Sequence, residues 1–468
     1  MNQEIHHVLN QVLKKIVPST EERRMTENMC NKILESFEKV TKGRFSIKPM
    51  FCGSIAKDTW LAGNKDIDLF LLFRPNVSRE NLTKYGLLVG KEIIKNLFGE
   101  IEIAYAEHPY VRGFVAGHKV EIVPAYDVKD PSKIKSAVDR TPYHVRYVNE
   151  KLNKNLTNDV RLLKQFTTGI GVYGSDLKTQ GFSGYLCELL IIEYGTFENL
   201  LKNVPNWYPG MIIDIEKHYK SKKQIRKKFP NDPLVVIDPV DKNRNVASVL
   251  SPENFLLFIK KSKEFLEKPS VDFFFKPKES APDIEEIKKY VKDRKTNFIF
   301  VKFRAPVVHQ DVLWPQLRKL RKRLVDILGD EEFKTIRSDV WSDEKRCVII
   351  MELLVDTLPN VRKRFGPSIF DEEGSKGFLS RYDGNNFLVE DKKWVVEHRR
   401  KYTSAVDVIR DFLAKKYDEL RESGVPKNLA EEIHEDVEIF SGDDINRVIR
   451  RYEDLRRFLK EYFEKNLV

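Results

Sequence analysis

Apolar positions change their period twice along this chain. Leu9, Val12, Leu13 and Ile16 stand at i, i+3, i+4 and i+7, which predicts one face of a helix. Pro18 stops that pattern, and Ser19-Thr20-Glu21-Glu22 reads as a capping box opening a second helix. From Phe45 the period shortens. Residues 46–51, 66–73, 100–105, 110–115 and 119–123 read as strands, with helical spacing over 81–98 between them. A mixed α/β domain over residues 1–150 is expected.

From Thr141-Pro142 onward the spacing turns largely helical. Residues 158–167 and 183–204 fit helices, with Leu186, Leu189 and Leu190, then Phe197, Leu200 and Leu201, repeating on either side of Gly195. Ser251-Pro252-Glu253 reads as the start of a further helix over 251–266. A helical central domain over 151–267 follows, ended by a boundary at Lys268-Pro269-Ser270. Beyond it, 273–275, 298–303, 347–355 and 386–389 are strand-like and 314–328 is helical. A terminal helical stripe carries Ile445, Val448, Ile449, Tyr452, Leu455, Leu459 and Tyr462. The last part, 268–468, is expected to be an α+β body with a helical tail, so the whole chain reads as multidomain α+β.

Composition narrows the class. A length of 468 residues suits about three domains and needs no disulfide or metal staple. Apolar runs stop near five residues (69–73 and 255–259), against the ~20 of a membrane span. The first residues lack a secretory pattern. Four scattered cysteines without C-x-x-C predict reduced thiols in a cytoplasmic protein, and neither they nor the nine histidines show zinc spacing. A net charge of +11 suits a polyanionic partner as well as it suits solubility. Basic clusters at 217–228, 318–323, 362–364 and 398–401 could neutralise nucleic-acid phosphates.

The candidate chemistry lies in Phe51-Cys52-Gly53-Ser54-Ile55-Ala56-Lys57-Asp58-Thr59-Trp60-Leu61 and in Asp66-Ile67-Asp68-Leu69-Phe70 just after it. A Gly-Ser pair leaving a strand offers N–H groups and a hydroxyl to phosphate, and Lys57 adds a cation. Asp66 and Asp68 are two apart on a strand, so both carboxylates share one face while Ile67 and Leu69 enter a core. Such like charges repel unless a cation lies between them, and Mg²⁺ fits carboxylate-plus-phosphate coordination. Glu121, alternating with Val120 and Ile122, can supply a third carboxylate from a neighbouring strand. Only one Gly-Ser…Asp-x-Asp set occurs, so one centre is expected.

G-S-x-A-K-D-T-W-L followed by D-I-D-L-F resembles the nucleotidyltransferase signature of the DNA polymerase beta superfamily, and more narrowly that of the archaeal (class I) CCA-adding enzymes. Arg140-Thr141-Pro142-Tyr143-His144, Val160-Arg161-Leu162-Leu163-Lys164, Gly171-Val172-Tyr173-Gly174 and Gly181-Phe182-Ser183-Gly184-Tyr185-Leu186-Cys187-Glu188-Leu189 are similar to the same family, in the same order. The resemblance implies a polymerase-beta-like head in which Asp66, Asp68 and Glu121 bind Mg²⁺. It implies that Ser54 and Lys57 hold a triphosphate, that His144, Lys164 and Tyr173 contact the nucleotide, and that Arg244 reads its base. Two positions depart from the commoner pattern: Glu121 where Asp prevails, and Lys57 where Arg also occurs, a point charge in place of a fork. The implied activity is untemplated addition of C, C and A to a tRNA 3′ end from CTP and ATP, by a homodimer that embraces the acceptor stem and TΨC arm. A poly(A) polymerase or other terminal transferase shares the same head. A non-catalytic RNA-binding protein on this fold would have no physical need for three clustered acids.

Overall fold

A computed structural model describes residues 2–105, 107–130, 133–276 and 281–464. The chain forms two compact units that part between Lys278 and Glu279. In the first unit, Ser19 caps the helix Thr20–Thr41 by accepting from the Glu22 N–H, while the Glu22 carboxylate accepts from the Ser19 N–H, the reciprocal box expected from the sequence.

Five strands build the head: β1 (Ile47–Cys52), β2 (Asp66–Phe73), β3 (Glu100–Tyr105), β4 (Pro109–Val115) and β5 (His118–Tyr126), in the order β1-β2-β5-β4-β3. Only β2 and β5 run parallel. Helices Thr20–Thr41 and Arg79–Asn96 cover one face, burying Ile33, Phe37, Val89 and Ile93 against Ile67, Leu69, Leu71, Val120 and Ile122. The strand alternation therefore turns Asp66 and Asp68 to the opposite face. β5 runs past Pro124 to Tyr126 and is central. The proline is tolerated because the pairing of β5 with β4 has already ended at Ile122.

After the head come helices Thr141–Lys151, Thr157–Gly169, Gly184–Tyr194, Phe197–Asn203 and Pro252–Glu267. Their common core includes Phe166, Leu189, Leu200 and Phe258, and it also takes in Ile5, Val12 and Ile16 of the first helix, Asn2–Ile16. Helical spacing did not predict the small sheet here, β6 (Met211–Ile213), β7 (Leu234–Asp238) and β8 (Asp241–Asn245). These strands are short, and β8 is wholly polar, so period-2 alternation has nothing to act on. The expected strand at 273–275 is also corrected. Ser270 caps a short 3₁₀ turn, Val271–Phe273, and Phe274 is buried edge-on against Phe166 at 5.5 Å.

The second unit holds β9 (Asn297–Arg304), β10 (Thr335–Ser342), β11 (Arg346–Leu353), β12 (Val361–Ser368), β13 (Asn386–Glu390), β14 (Lys393–Arg399) and β15 (Val437–Ser441). They form two sheets, β10-β11-β9-β15 and β12-β14-β13. The terminal stripe is two helices, Ile445–Arg451 and Glu453–Glu464, broken where Tyr452 turns extended, yet all seven stripe residues enter one core. No described helix is long and apolar enough to cross a membrane. All four cysteines are free thiols, with Cys52, Cys187 and Cys347 buried.

Candidate active site

The chain leaves β1 through Gly53, which has a left-handed φ of 67°. A Cβ built there would lie 1.8 Å from Asp68 Oδ2, so both backbone and space require glycine. This close approach sets the Gly53–Ala56 turn, with Ser54, directly beside the second aspartate. Asp68 pairs in register with Cys52 on one side and with Glu121 on the other. Gly53, Asp68, Tyr110 and Glu121 share a hollow of about 240 Å³.

Acids crowd this hollow. Burial, then the neighbouring charges of Glu121 and Asp66, push the Asp68 carboxyl up to about 6. Two cations stand close: Lys119 Nζ lies 3.4 Å from Asp66 Oδ2 and 3.7 Å from Glu121 Oε1, and Arg112 Nε donates to Glu121 Oε1 at 2.9 Å. Among the described residues, no three acidic, histidine or cysteine side chains already converge as a metal cage. The donor set nevertheless fits a hard divalent ion. It is all carboxylate, on register-matched strands, with a raised carboxyl pKa that a cation would relieve.

A second cluster adjoins it with the opposite character. Lys57 follows the Gly53 turn, and its Nζ lies 2.5 Å from Glu188 Oε2. Lys164 Nζ donates to Glu188 Oε1 at 3.2 Å and to Thr59 Oγ1 at 2.9 Å, and Thr59 Oγ1 donates to Glu188 Oε1 at 2.6 Å. Burial works to raise the Glu188 carboxyl, but the two lysines outweigh it and hold it below the ordinary range. Tyr173 and Lys164 flank Gly184 together, a Cβ there meeting Tyr173 Oη at 3.1 Å and Lys164 Cε at 3.4 Å.

The remaining expected residues meet at Asp238, the buried last residue of β7. His144 Nε2 lies 3.0 Å and Arg244 NH1 2.8 Å from its Oδ2, while Tyr185 donates to Oδ1 at 3.2 Å. Burial, aided by the charges of Arg244 and Lys57, lowers the His144 pKa against the opposing pull of Asp238. Tyr185 stacks on His144 at 4.0 Å and lies 5.9 Å from the Lys57 ammonium, joining this cluster to the lysines.

All nine expected residues thus stand in one connected region of the first unit. Sequence reasoning gave no role to the residues that connect them, Glu188, Asp238, Tyr185 and Arg161, although Arg161, Tyr185 and Glu188 stand in the motif stretches. Arg161 is buried and binds the Trp60 carbonyl at 2.9 Å and the Asp58 carboxylate at 2.5 Å, tying the loop that follows Lys57 to the helix carrying Lys164. The usable signal was a lone acid or arginine in an otherwise apolar run, since a buried charge must be partnered.

Three family models match consecutive stretches: the nucleotidyltransferase domain over residues 30–144, the second domain of tRNA nucleotidyltransferase over 158–275, and the C-terminal domain of the CCA-adding enzyme over 294–442. The chain is 40% identical to the CCA-adding enzyme of Methanocaldococcus jannaschii, over 87% of this chain and 91% of that one. The chain belongs to the CCA-adding enzymes. Other members of the family similar to it include those of Archaeoglobus fulgidus, 37% identical over 94% of this chain and 96% of that one, and Methanosarcina acetivorans, 36% over 96% and 97%. Among solved structures, a cytoplasmic RNA terminal U-transferase is similar at a TM-score of 0.46 and 12% identity, over 59% of this chain and 99% of that one. The first two family segments meet at the Lys57–Glu188–Lys164 cluster, one lysine coming from each.

Some members of the three later basic clusters are tied into the fold. Arg321 and Arg323 donate to the Ser338 and Ser423 carbonyls. Arg362 and Arg400 both pair with Glu332, and Lys363 pairs with Glu390.

Proposed function

We propose that the region around Asp68 adds C, C and A in turn to a tRNA 3′ end from CTP and ATP, at one site, without a nucleic-acid template and with Mg²⁺. The observation that carries this reading is the register pairing of Asp68 with Glu121 beside the Gly53-Ser54 turn, in a chain of the CCA-adding family. Asp66, Asp68 and Glu121 would hold the Mg²⁺, which when bound supplies charge neutralisation and activation of the attacking hydroxyl. Lys57 and Lys164 neutralise the triphosphate as point charges, and the Ser54 hydroxyl donates to it. His144, held by Asp238, contributes a ring nitrogen to the nucleotide. Arg244, steadied by Asp238, presents N–H donors to the base edge.

One fixed set of donors cannot prefer C and then A unless its surroundings change. The growing 3′ end stacked beside Arg244 provides that change, and after the terminal A no room is left for another step. In this reading the protein acts in the cytoplasm as a homodimer. The acceptor stem and TΨC arm lie on the basic clusters, and tRNA phosphates compete there with acids such as Glu332. The test is incubation with tRNAs ending at the discriminator base, C or CC, each with CTP or ATP alone. The expected products are C and CC from CTP, and a single A only on the CC end. A long A tail on unstructured RNA would favour the poly(A) polymerase reading instead.

A further inference from the structure

Glu188 has an unusual charge balance. It is fully buried on the helix Gly184–Tyr194, between the apolar Cys187 and Leu189, and its one carboxylate serves two ammonium groups that are themselves almost wholly buried. A purely structural ion pair tends toward one charge of each sign, because every uncompensated buried charge costs heavily. Here two cations share one anion, and a net positive charge is left inside. The two lysines also come from different parts of the chain, Lys57 from the loop after β1 and Lys164 from the helix Thr157–Gly169. Thr59 Oγ1 completes the cluster by donating to Glu188 and accepting from Lys164.

We propose that Glu188 is a positioning residue for the nucleotide triphosphate: its carboxylate holds Lys57 and Lys164 at a fixed separation and keeps both charged, so that they meet the phosphates as a preformed cationic pair. The proposal rests on the reading above that these lysines take the triphosphate. The retained positive charge is then the part of the cluster that an anionic ligand completes. Without the carboxylate, two buried ammonium groups would repel, and one would shed its proton. Burial already lowers the Lys164 pKa, and Glu188 is the main opposing influence. The other groups facing this pair include Tyr173, Tyr185, Cys187 and Cys52, all with pKa values raised by burial and therefore uncharged near neutral pH, and Asp68 and His144, which interact with Lys57 through charge.

The test measures CTP and ATP binding to the intact chain across pH, with Glu188→Gln, which keeps the shape and removes the charge. Weakening of both nucleotides by about tenfold toward pH 9, recovered toward pH 6.5, is expected, because Lys164, deprived of the opposing carboxylate, then loses its proton at lower pH than in the wild type. The KM for tRNA should stay at its wild-type value. A folded Glu188→Gln protein that binds both nucleotides like the wild type at every pH would overturn the proposal. So would one whose nucleotide and tRNA constants worsen by the same factor throughout, the mark of a merely structural role. Should Glu188→Gln not fold, Glu188→Asp keeps the charge and withdraws it by one methylene. It should raise the nucleotide KM several-fold with no new pH dependence, and an unchanged KM overturns the proposal. A wild type that binds neither CTP nor ATP would remove the underlying reading instead, so the two failures are distinguishable.

Discussion

Asp68 and Glu188 are acids in the same unit of the molecule, and their surroundings push them in opposite directions. Asp68 sits among other acids, and burial together with Glu121 and Asp66 raises its carboxyl to about 6. Glu188 sits between two lysines and is held below the ordinary range, although it is the more deeply buried of the two. Burial alone therefore does not decide the charge state; the sign of the neighbours does. In the first arrangement Lys119 and Arg112 offset the acids only in part, and in the second both lysines are bonded to the carboxylate. Under the proposed function, the first is where a metal would bind and the second is preformed.

Single substitutions should separate the two. Asp68→Ala should lower nucleotide addition by about a thousandfold or more, as loss of a main electrostatic contributor does. Fold and tRNA binding should survive, which circular dichroism and filter binding would show; substantial activity in the purified variant would break the comparison. Glu188→Ala should do the reverse to stability. Leaving Lys57 and Lys164 buried without their counterion should cost about 3–5 kcal/mol in denaturant unfolding, and a loss under about 1 kcal/mol would mean that the lysines find other partners. Asp238→Asn should raise the KM for CTP and ATP by roughly tenfold, the range typical of a lost orienting partner, because His144 and Arg244 both rest on its Oδ2. An unchanged KM would show that neither side chain needs that anchor.

How much of this was legible beforehand follows the same division. Asp66, Asp68 and Glu121 stand out because each interrupts an apolar strand at period 2, and the sheet then pairs Asp68 with Glu121 in register. The Ser19 box and the apolar stripes on either side of Gly195 were equally plain, since both depend on local residues alone. Glu188 and Asp238 were not legible as chemistry. Their partners lie far away in sequence, Lys57 being 131 residues from Glu188 and His144 94 residues from Asp238. The sheet β6-β7-β8 escaped for a related reason, its strands being too short or too polar to show alternation. The run Phe273–Phe275 looks like a strand, but its aromatic side chains are drawn into an existing helical core.

Protons and metal should compete at Asp68, and the sign can be worked out. With its folded-state pKa raised, the metal-free protein binds a proton more readily than the unfolded chain between about pH 4 and 6, so its stability falls as pH rises through that window. Asp68→Asn removes the repulsion and should stabilise the metal-free protein at pH 8 by about 1–3 kcal/mol. Mg²⁺ should act oppositely on the wild type, raising its melting temperature at pH 8 and losing that effect as pH falls through about 6.

The most direct measurement is therefore a Mg²⁺ titration of the melting temperature at pH 8, with wild type and Asp68→Asn side by side. The account predicts a saturable rise for the wild type, worth about 2.7 kcal/mol when the ion is at a hundred times its dissociation constant. For Asp68→Asn it predicts a higher starting point and a nearly flat response. Equal rises in both proteins would contradict it, because the ion would then be binding somewhere other than the acids of β2 and β5.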